Sequence, residues 1–460
     1  MLINRNYRRL WFGQAISVVG DEVFDTTLLL WVGVVLLANR SYAPAVSSIV
    51  LIITSVVIVT VGPLAGVFVD RWDKRTTLLR TDLIRAVLIG ILIVVSLWPR
   101  LFPLPVTLAV IGVVVALATA ASQFFNPART IVVADVVPPD QLGRATGYGQ
   151  TASAMATVIG PPMAAPLLVG IGVPAAITVN ALSFLVSYVA IRSVRFGQRA
   201  QAPVPAQAGA PAEEEVVAVT AGGGGAAGLV AAEATAVENP PVEPGPAPTS
   251  SVRSEFMAGL RFMFGSGIVR ATLVTAIVVN LGAGALAALD VYFVGENLHT
   301  DPKWFGVLAG AFGVGSVVGA LVGGYLGDKL GHGRVVAAGL FAAGLFTIGY
   351  SRSSSVVIAA VLIALLGVSI GVVNAAVVPV VLKGVPREYL GRVFAVVVPA
   401  NRFGAIFSIL LASVLVSTVL RGLNTSVAGV HLGRIDSVFL VAGIIIAASG
   451  VYFGLATRRR

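Results

Sequence analysis

Long apolar runs alternate with short polar segments along the whole chain. Each run is about as long as the roughly 20 residues that an α-helix needs to cross a bilayer. Transmembrane helices are predicted over residues 9–37, 45–69, 77–98, 104–126, 145–169, 171–192, 270–295, 304–327, 334–350, 355–382, 392–420 and 437–457. The pattern predicts an all-α membrane protein, with twelve transmembrane helices in two pseudo-symmetric halves of six.

A segment rich in Ala, Pro, Gly and Glu separates the two groups of helices. It covers residues 197–254 and lacks the apolar periodicity that a folded unit needs. We therefore predict a disordered linker between an N-terminal half, residues 1–196, and a C-terminal half, residues 255–460. The second half is expected to begin with a short amphipathic surface helix over 255–264.

The composition agrees with a protein embedded in lipid. Hydrophobic residues make up 57% of the chain and charged residues only 11%, too few to cover a soluble surface. The net charge of +10 comes from cations in the loops, which argues against nucleic acid as a partner. Most of these cations share one side of the membrane, whereas Arg40, Arg100, Lys303, Arg352, Arg421 and Arg434 fall on the other. The positive-inside rule predicts a multi-pass inner (plasma) membrane protein with both termini in the cytoplasm.

Several kinds of chemistry are not indicated. There is no cysteine, and His299, His332 and His431 fall in predicted loops without the spacing of a metal site. No phosphate-binding motif and no nucleophile–base pattern occurs. We predict no enzyme, no cofactor and no metal.

A polar loop motif occurs twice, at matching places in the two halves. The first copy lies within residues 62–75, where Gly66 precedes Asp70 by four positions, and Gly324 precedes Asp328 by the same spacing. The cations that accompany the aspartates are Arg71 and Arg75 in the first copy and Lys329 in the second. The duplication favours a structural role over ordinary interfacial charge.

We interpret the two loops as a conformational latch. Asp70 ends predicted helix 2 where predicted helix 11 begins beside Arg392, and Asp328 mirrors it against Arg144 at helix 5. A carboxylate is stabilised by a helix N-terminus and an adjacent arginine. These contacts would form only when the cytoplasmic ends of the halves are together.

Three carboxylates in predicted helix 1 are the most unusual residues of the chain. Asp21, Glu22 and Asp25 follow about a dozen residues of apolar span. Asp21 and Asp25 share a face, whereas Glu22 lies about 100° around the helix and is a candidate for contact with a neighbouring helix. Charge at this depth needs an aqueous cavity or a partner. The alternative is an outer-interface position or the cap of a broken helix; we favour a role in proton coupling.

Two other charged residues in the predicted spans are candidates for the proton-coupling cavity: Arg402, as the charge that acts on the helix 1 carboxylates, and Asp290, the weaker of the two. Arg402 in helix 11 needs a carboxylate or an anionic ligand, and Asp290 lies near the outer end of helix 7. Arg85 in helix 3 is expected to extend toward the cytoplasmic interface.

These motifs resemble those of the major facilitator superfamily. The pattern G-x-x-x-D-[RK]-x-x-x-R between helices 2 and 3 carries the resemblance, and Asn-Pro-Ala-Arg at 126–129 with Leu-Gly-Arg at 142–144 is similar to the macrolide-efflux and enterobactin-exporter branch. Helix 5 also resembles the drug:proton antiporter pattern through Gly147, Gly160 and Pro161, with alanine at three other glycine positions.

The resemblance implies a monomeric secondary active transporter that alternates its access by rocking two halves. It further implies proton-coupled antiport for the efflux of a hydrophobic or amphipathic small molecule, such as a drug or siderophore, as in multidrug resistance. A nutrient importer or uniporter is the alternative, as is a non-transporting receptor on the same scaffold. The expected partners are the substrate, protons and membrane lipid.

The linker should tolerate shortening. Deleting about half of residues 197–254 should leave folding and transport intact, because the cost of closing a flexible connection depends only weakly on its length. Size-exclusion profile and transport rate measure this, and loss of the folded protein would show that the segment is a domain.

Overall fold

The computed structural model describes residues 3–38, 40–99, 101–194, 267–384, 387–427 and 430–458. In the order of the chain, these residues form helices α1 (Arg5–Leu30), α2 (Ala43–Arg71), α3 (Lys74–Leu97), α4 (Leu104–Val136), α5 (Leu142–Gly170), α6 (Val173–Ser193), α7 (Gly267–Glu296), α8 (Lys303–Leu330), α9 (His332–Ser351), α10 (Val356–Gly384), α11 (Arg387–Ser417) and α12 (Arg434–Arg458). The linker predicted over 197–254 and the surface helix predicted over 255–264 lie outside the described residues.

Three short elements complete this part of the chain. A π-helical segment, Trp31–Leu36, extends α1, and a 3-10 turn, Pro139–Gln141, precedes α5. An antiparallel hairpin of β1 (Asn424–Val427) and β2 (Val430–Gly433) joins α11 to α12. The sequence analysis did not predict this hairpin, because four-residue strands carry too little periodicity to stand out.

The two halves repeat the same helix packing. In the N-terminal half α1 packs on α5 and α6, α3 packs on α4 and α6, and α2 packs on α4. In the C-terminal half α7 packs on α11 and α12, α9 packs on α10 and α12, and α8 packs on α10. Each pair in one half thus has its counterpart six helices later, as expected for a duplicated unit. The halves meet through α2 against α11 and α5 against α8, which are also counterparts.

The composition of the helices fits a lipid environment. Nine of the described helices are long and apolar enough to cross a membrane. Helices α1 and α3 are long enough but carry three charges each within the span: Asp21, Glu22 and Asp25 in α1, and Arg80, Asp82 and Arg85 in α3. The charged side chains of these two helices are therefore where function is to be sought.

Two predicted boundaries were wrong. Helix α4 does not end at residue 126 but passes through Pro127 and continues to Val136, because the buried side chains of Ala128 and Val132 anchor its last turns in the N-terminal core. Helix α11 begins at Arg387 rather than at 392. The Asn-Pro-Ala-Arg run at 126–129 therefore lies inside a helix.

Close helix contacts in the C-terminal half depend on glycine. A Cβ added at Gly315 or Gly319 of α8 would meet the carbonyl oxygens of Ala364 and Val368 on α10. The converse also holds, since Gly367 and Gly371 of α10 lie against α8 backbone. Backbone-to-backbone packing of this kind is a common way for membrane helices to associate without a hydrophobic driving force.

Candidate functional site

A buried group of three charges lies between α1 and α3. The Arg85 guanidinium donates to Asp82 Oδ1 at 2.7 Å, one turn earlier in the same helix. A second nitrogen of Arg85 lies 3.8 Å from Asp21 Oδ2 on α1. Arg85 therefore stands between two carboxylates, held closely by one and loosely by the other.

Aromatic rings enclose this arginine. Its guanidinium carbon lies 4.7 Å from the ring centre of Phe125 on α4 and 4.2 Å from that of Phe184 on α6. Cation–π attraction of this kind gains strength when water is excluded. Arg85 is 5% exposed and Asp82 is fully buried. The expectation that Arg85 extends to the interface was wrong, because α4 and α6 cover the face of α3 on which it lies.

The three carboxylates of α1 have different surroundings. The Asp21 side chain is 36% exposed, and Asp25, one turn later, is half-buried. Glu22 points toward α5, where the hydroxyl of Thr157 donates to it at 3.3 Å. A Cβ on Gly160 would collide with Glu22, so this glycine lets α1 and α5 approach. Asp21 thus lies beside Arg85, whereas Glu22 is part of the α1–α5 contact.

Arg402 is not paired with these carboxylates among the residues that the structure describes. It lies half-buried on α11 and makes no ion pair or hydrogen bond within the described part of the chain. The arginine beside Asp21 is Arg85 instead. Asp82 was missed in the sequence analysis, although its three-residue spacing from Arg85 places both on one face of a helix.

Asp290 belongs to a separate buried group in the C-terminal half. The Tyr350 hydroxyl donates to its carboxylate at 2.5 Å, and both residues are buried. The Tyr350 ring also packs against Phe293 and Phe439. Asp290 is therefore held by α9 and is not close to the charges of α1.

The halves touch at one end of the molecule. We call the N-terminal face the end at which α1 begins and α2 ends, and the distal face the opposite end. Toward the distal face, the hydroxyl groups of Ser47 on α2 and Tyr292 on α7 are 2.6 Å apart, and Ser48 hydrogen-bonds Ser413 on α11. Helices α5 and α8 touch there too, since a Cβ on Gly306 would meet the carbonyl oxygen of Pro161.

At the N-terminal face the described side chains of the halves are apart. A Cβ at Gly66, Gly147 or Gly324 would have no atom within 4 Å, and Asp70, Arg144 and Asp328 are exposed. The side chain of Arg392 lies outside the described residues. The exposure of Asp70, Arg144 and Asp328 indicates that the N-terminal face is open in the part of the chain that the structure describes.

The loop motif instead makes contacts within its own half. Lys74 donates to the backbone carbonyl of Asp70 at 2.7 Å, and Arg75 donates to that of Arg192 on α6 at 2.8 Å. In the second copy, Asp328 lies 3.6 Å from His332 at the start of α9. Arg75 therefore holds the α2–α3 loop against α6.

Comparison with known proteins identifies the family. The model of the Major Facilitator Superfamily matches residues 10–292 and 272–460. The chain belongs to the Major Facilitator Superfamily. The protein is therefore a multi-pass membrane transporter of a small molecule and not an enzyme, and both the fold class and the resemblance seen in the sequence are confirmed.

The relatives of this chain include bacterial transporters. The chain is 23% identical over 457 residues to an uncharacterized MFS-type transporter, YkuC, of Bacillus subtilis. This alignment covers 98% of this chain and 92% of that protein. It is 26% identical over 195 residues to macrolide efflux protein A of Streptococcus pyogenes. That second match covers 42% of this chain and 46% of the relative.

Solved structures share the fold at low identity. A bacterial homologue of the iron transporter ferroportin in an inward-facing state aligns over 99% of both chains, with a TM-score of 0.69 and 12% identity. An auto-inhibited peptide transporter of the POT family aligns over 99% of this chain and 97% of its own, with a TM-score of 0.65 and 14% identity.

Removing the Arg85 charge should destabilise the protein, because it leaves a buried carboxylate without its cation. In Arg85→Gln, the buried Asp82 carboxylate loses its partner, which costs about 3–5 kcal/mol for a buried pair. The double variant Asp82→Asn/Arg85→Gln should recover most of this loss, because the fully buried charge is gone and the carboxylate that remains, Asp21, is partly exposed to water. Folded yield and thermal stability in detergent measure both. Equal stability of wild type and Arg85→Gln would show that the ion pair contributes nothing.

Proposed function

We propose that this protein is a proton-coupled exporter of a hydrophobic or amphipathic small molecule, in the inner (plasma) membrane with both termini in the cytoplasm. The exchangeable proton is carried by the carboxylates of α1, with Arg85 as the compensating cation. The name of the macrolide-efflux relative supports an amphipathic cargo and the outward direction.

The charge balance around Arg85 is the observation that carries this proposal. Asp21 and Asp82 are two carboxylates that share one guanidinium. If all three groups are ionised, a net negative charge remains in a region of low dielectric, which is costly. Uptake of one proton makes the group neutral. Asp82 is fully buried, whereas Asp21 is partly exposed, so Asp21 is the carboxylate that exchanges the proton with water.

Movement of the halves provides the second requirement of a coupled transporter. The carboxylate must be reached from each side of the membrane in turn. In this structure the halves meet toward the distal face and are apart at the N-terminal face. With the orientation that the positive-inside rule predicts, this is the state open to the cytoplasm. Rocking about the α2–α11 and α5–α8 contacts would expose the same site to the outside.

Neutralising the exchanging carboxylates should uncouple transport from the proton gradient. Asp21→Asn and Asp25→Asn should each lower gradient-driven substrate accumulation, while substrate still binds, because an amide carries no exchangeable charge. Proteoliposomes with an imposed pH gradient measure accumulation. Asp301→Asn, in the exposed loop before α8, is the matched control and should leave accumulation unchanged.

Two other results would have different meanings. Loss of binding for cationic substrates with retention of neutral ones would mean that the carboxylates attract substrate directly rather than carry a proton. Full gradient-driven transport in both single variants and in the double variant would rule out a proton-carrying role for α1.

We also propose that the loop motifs form the latch of the alternate state. Asp70 and Asp328 are exposed here, so both are available for contacts when the N-terminal face closes. Their counterparts would be the starts of α11 and α5, because α2 meets α11 and α5 meets α8 across the two halves.

Asp70→Asn should shift the population toward the state open at the N-terminal face. The chain has no cysteine, so a single Gly147→Cys substitution, at a position with free space around its Cβ, reports access to that face. Thiol labelling should become faster with Asp70→Asn and change less with Asp328→Asn, whose motif is less complete. Identical labelling and transport rates in all three backgrounds would contradict the latch.

A further inference from the structure

A crevice opens between the end of α2, the start of α3 and α4 at the N-terminal face. Its volume is about 670 Å³. Helices α2 and α3 both pack on α4 but make little contact with each other, so the crevice opens between them. The residues that give it its chemical character are Arg71, Trp72, Thr76, Arg80, Ile84 and Phe124.

Two of the cations near this crevice have no partner. Lys74 and Arg75 are bound to backbone carbonyl groups, as described above. Arg71 and Arg80 are exposed, line the crevice and make no hydrogen bond or ion pair within the described residues. Two arginines, one from each neighbouring helix, therefore face the same space with their donors unused.

One carboxylate also lines the crevice. Asp73 caps α3 by accepting a hydrogen bond from the backbone N–H of Thr76 at 2.7 Å. Hydrogen bonding by the Thr76 side chain, together with this backbone bond, holds the pKa of Asp73 below its usual range. Asp73 is therefore ionised but already engaged by the helix N-terminus, and with Arg71 and Arg80 the crevice keeps a net charge of one positive unit.

One side of the crevice, formed by Trp72, Phe124 and Ile84, is apolar and continues along the membrane-facing surface. The Trp72 ring stacks on Phe124 at 5.6 Å, and Ile84 lies one turn beyond Arg80. Below it, Leu83 and Val87 leave 49% and 59% of their surfaces uncovered by protein. Tryptophan and arginine at a helix end, above exposed aliphatic side chains, match the depth profile of a bilayer interface.

We propose that this crevice is a binding site for a phospholipid with an anionic headgroup. The phosphate lies between Arg71 and Arg80, where guanidinium groups give bidentate hydrogen bonds to phosphate oxygens. The acyl chains follow Ile84 and the exposed face of α3. Charge complementarity selects an anionic over a zwitterionic lipid, since basic residues at the membrane surface attract anionic headgroups. This proposal needs only the membrane location and does not depend on proton coupling.

Trp72 provides a probe inside the site. The full-length protein is placed in phosphatidylcholine liposomes in which a fixed fraction of either phosphatidylglycerol or phosphatidylcholine carries brominated acyl chains. Bromine quenches tryptophan fluorescence at contact. The difference in quenching between wild type and Trp72→Phe isolates the Trp72 signal from that of the other tryptophans. We expect brominated phosphatidylglycerol to quench this signal several-fold more than brominated phosphatidylcholine.

The preference for phosphatidylglycerol should disappear in the double variant Arg71→Gln/Arg80→Gln and should decrease in Arg80→Gln. Because Arg80 is exposed, the single variant is expected to fold normally. The control is Lys329→Gln/Arg334→Gln, which removes the same charge from the same face of the other half and should retain the preference. Loss of the preference in this control would mean general surface attraction and would overturn the proposal. Equal quenching by the two lipids in wild type would also overturn it, and so would full competition by inorganic phosphate, which would identify a soluble anion as the occupant.

Discussion

A charge surrounded by hydrocarbon must have a partner, and this requirement shapes the interior of the protein. Arg85 meets Asp82 and Asp21, and two aromatic rings cover its faces. Toward the distal face, Arg352 of α9 pairs with Asp436 of α12 at 2.9 Å, and Arg434 of α12 forms a two-pronged pair with Glu296 of α7. Of these groups, the one around Arg85 is buried and has two carboxylates for one guanidinium, and this excess of acid is the basis of the proposed proton exchange.

The two helix pairs that join the halves are also the contacts about which the proposed rocking would take place. The contacts toward the distal face include hydroxyl pairs, glycine against carbonyl groups and buried apolar side chains of both halves, without ion pairs between the halves among the described residues. Contacts of this kind break without leaving a buried charge. The ion pairs lie within each half, where they hold the half together as it moves. The ion pairs are thus separate from the contacts between the halves. In the proposed mechanism, each half can therefore rock as a rigid body without breaking its own ion pairs.

The fold was largely predictable because apolar length alone marks a membrane helix, and the repeated loops at Asp70 and Asp328 marked the duplication. The site was less predictable. The carboxylates of α1 were identified from their depth, but their partner depends on how α3 is rotated, which apolar runs do not determine. For that reason the sequence did not identify Arg85 as the arginine beside Asp21, and it did not identify Asp82. Likewise Pro127 looked like a helix end, since the tertiary contacts that carry α4 past it are not visible in the local sequence.

Helix α8 carries glycine on two sides. Gly306, Gly310 and Gly313 face α5 of the opposite half, and Gly315, Gly319 and Gly323 face α10 of its own half. The glycine face of α8 has few side chains that interlock with α5, so a small shift of one helix along the other meets little steric resistance. It also leaves these positions no freedom to vary in size. Substitutions that change the substrate are therefore expected on other helices, while the glycines of α8 keep its contacts with α5 and α10 unchanged.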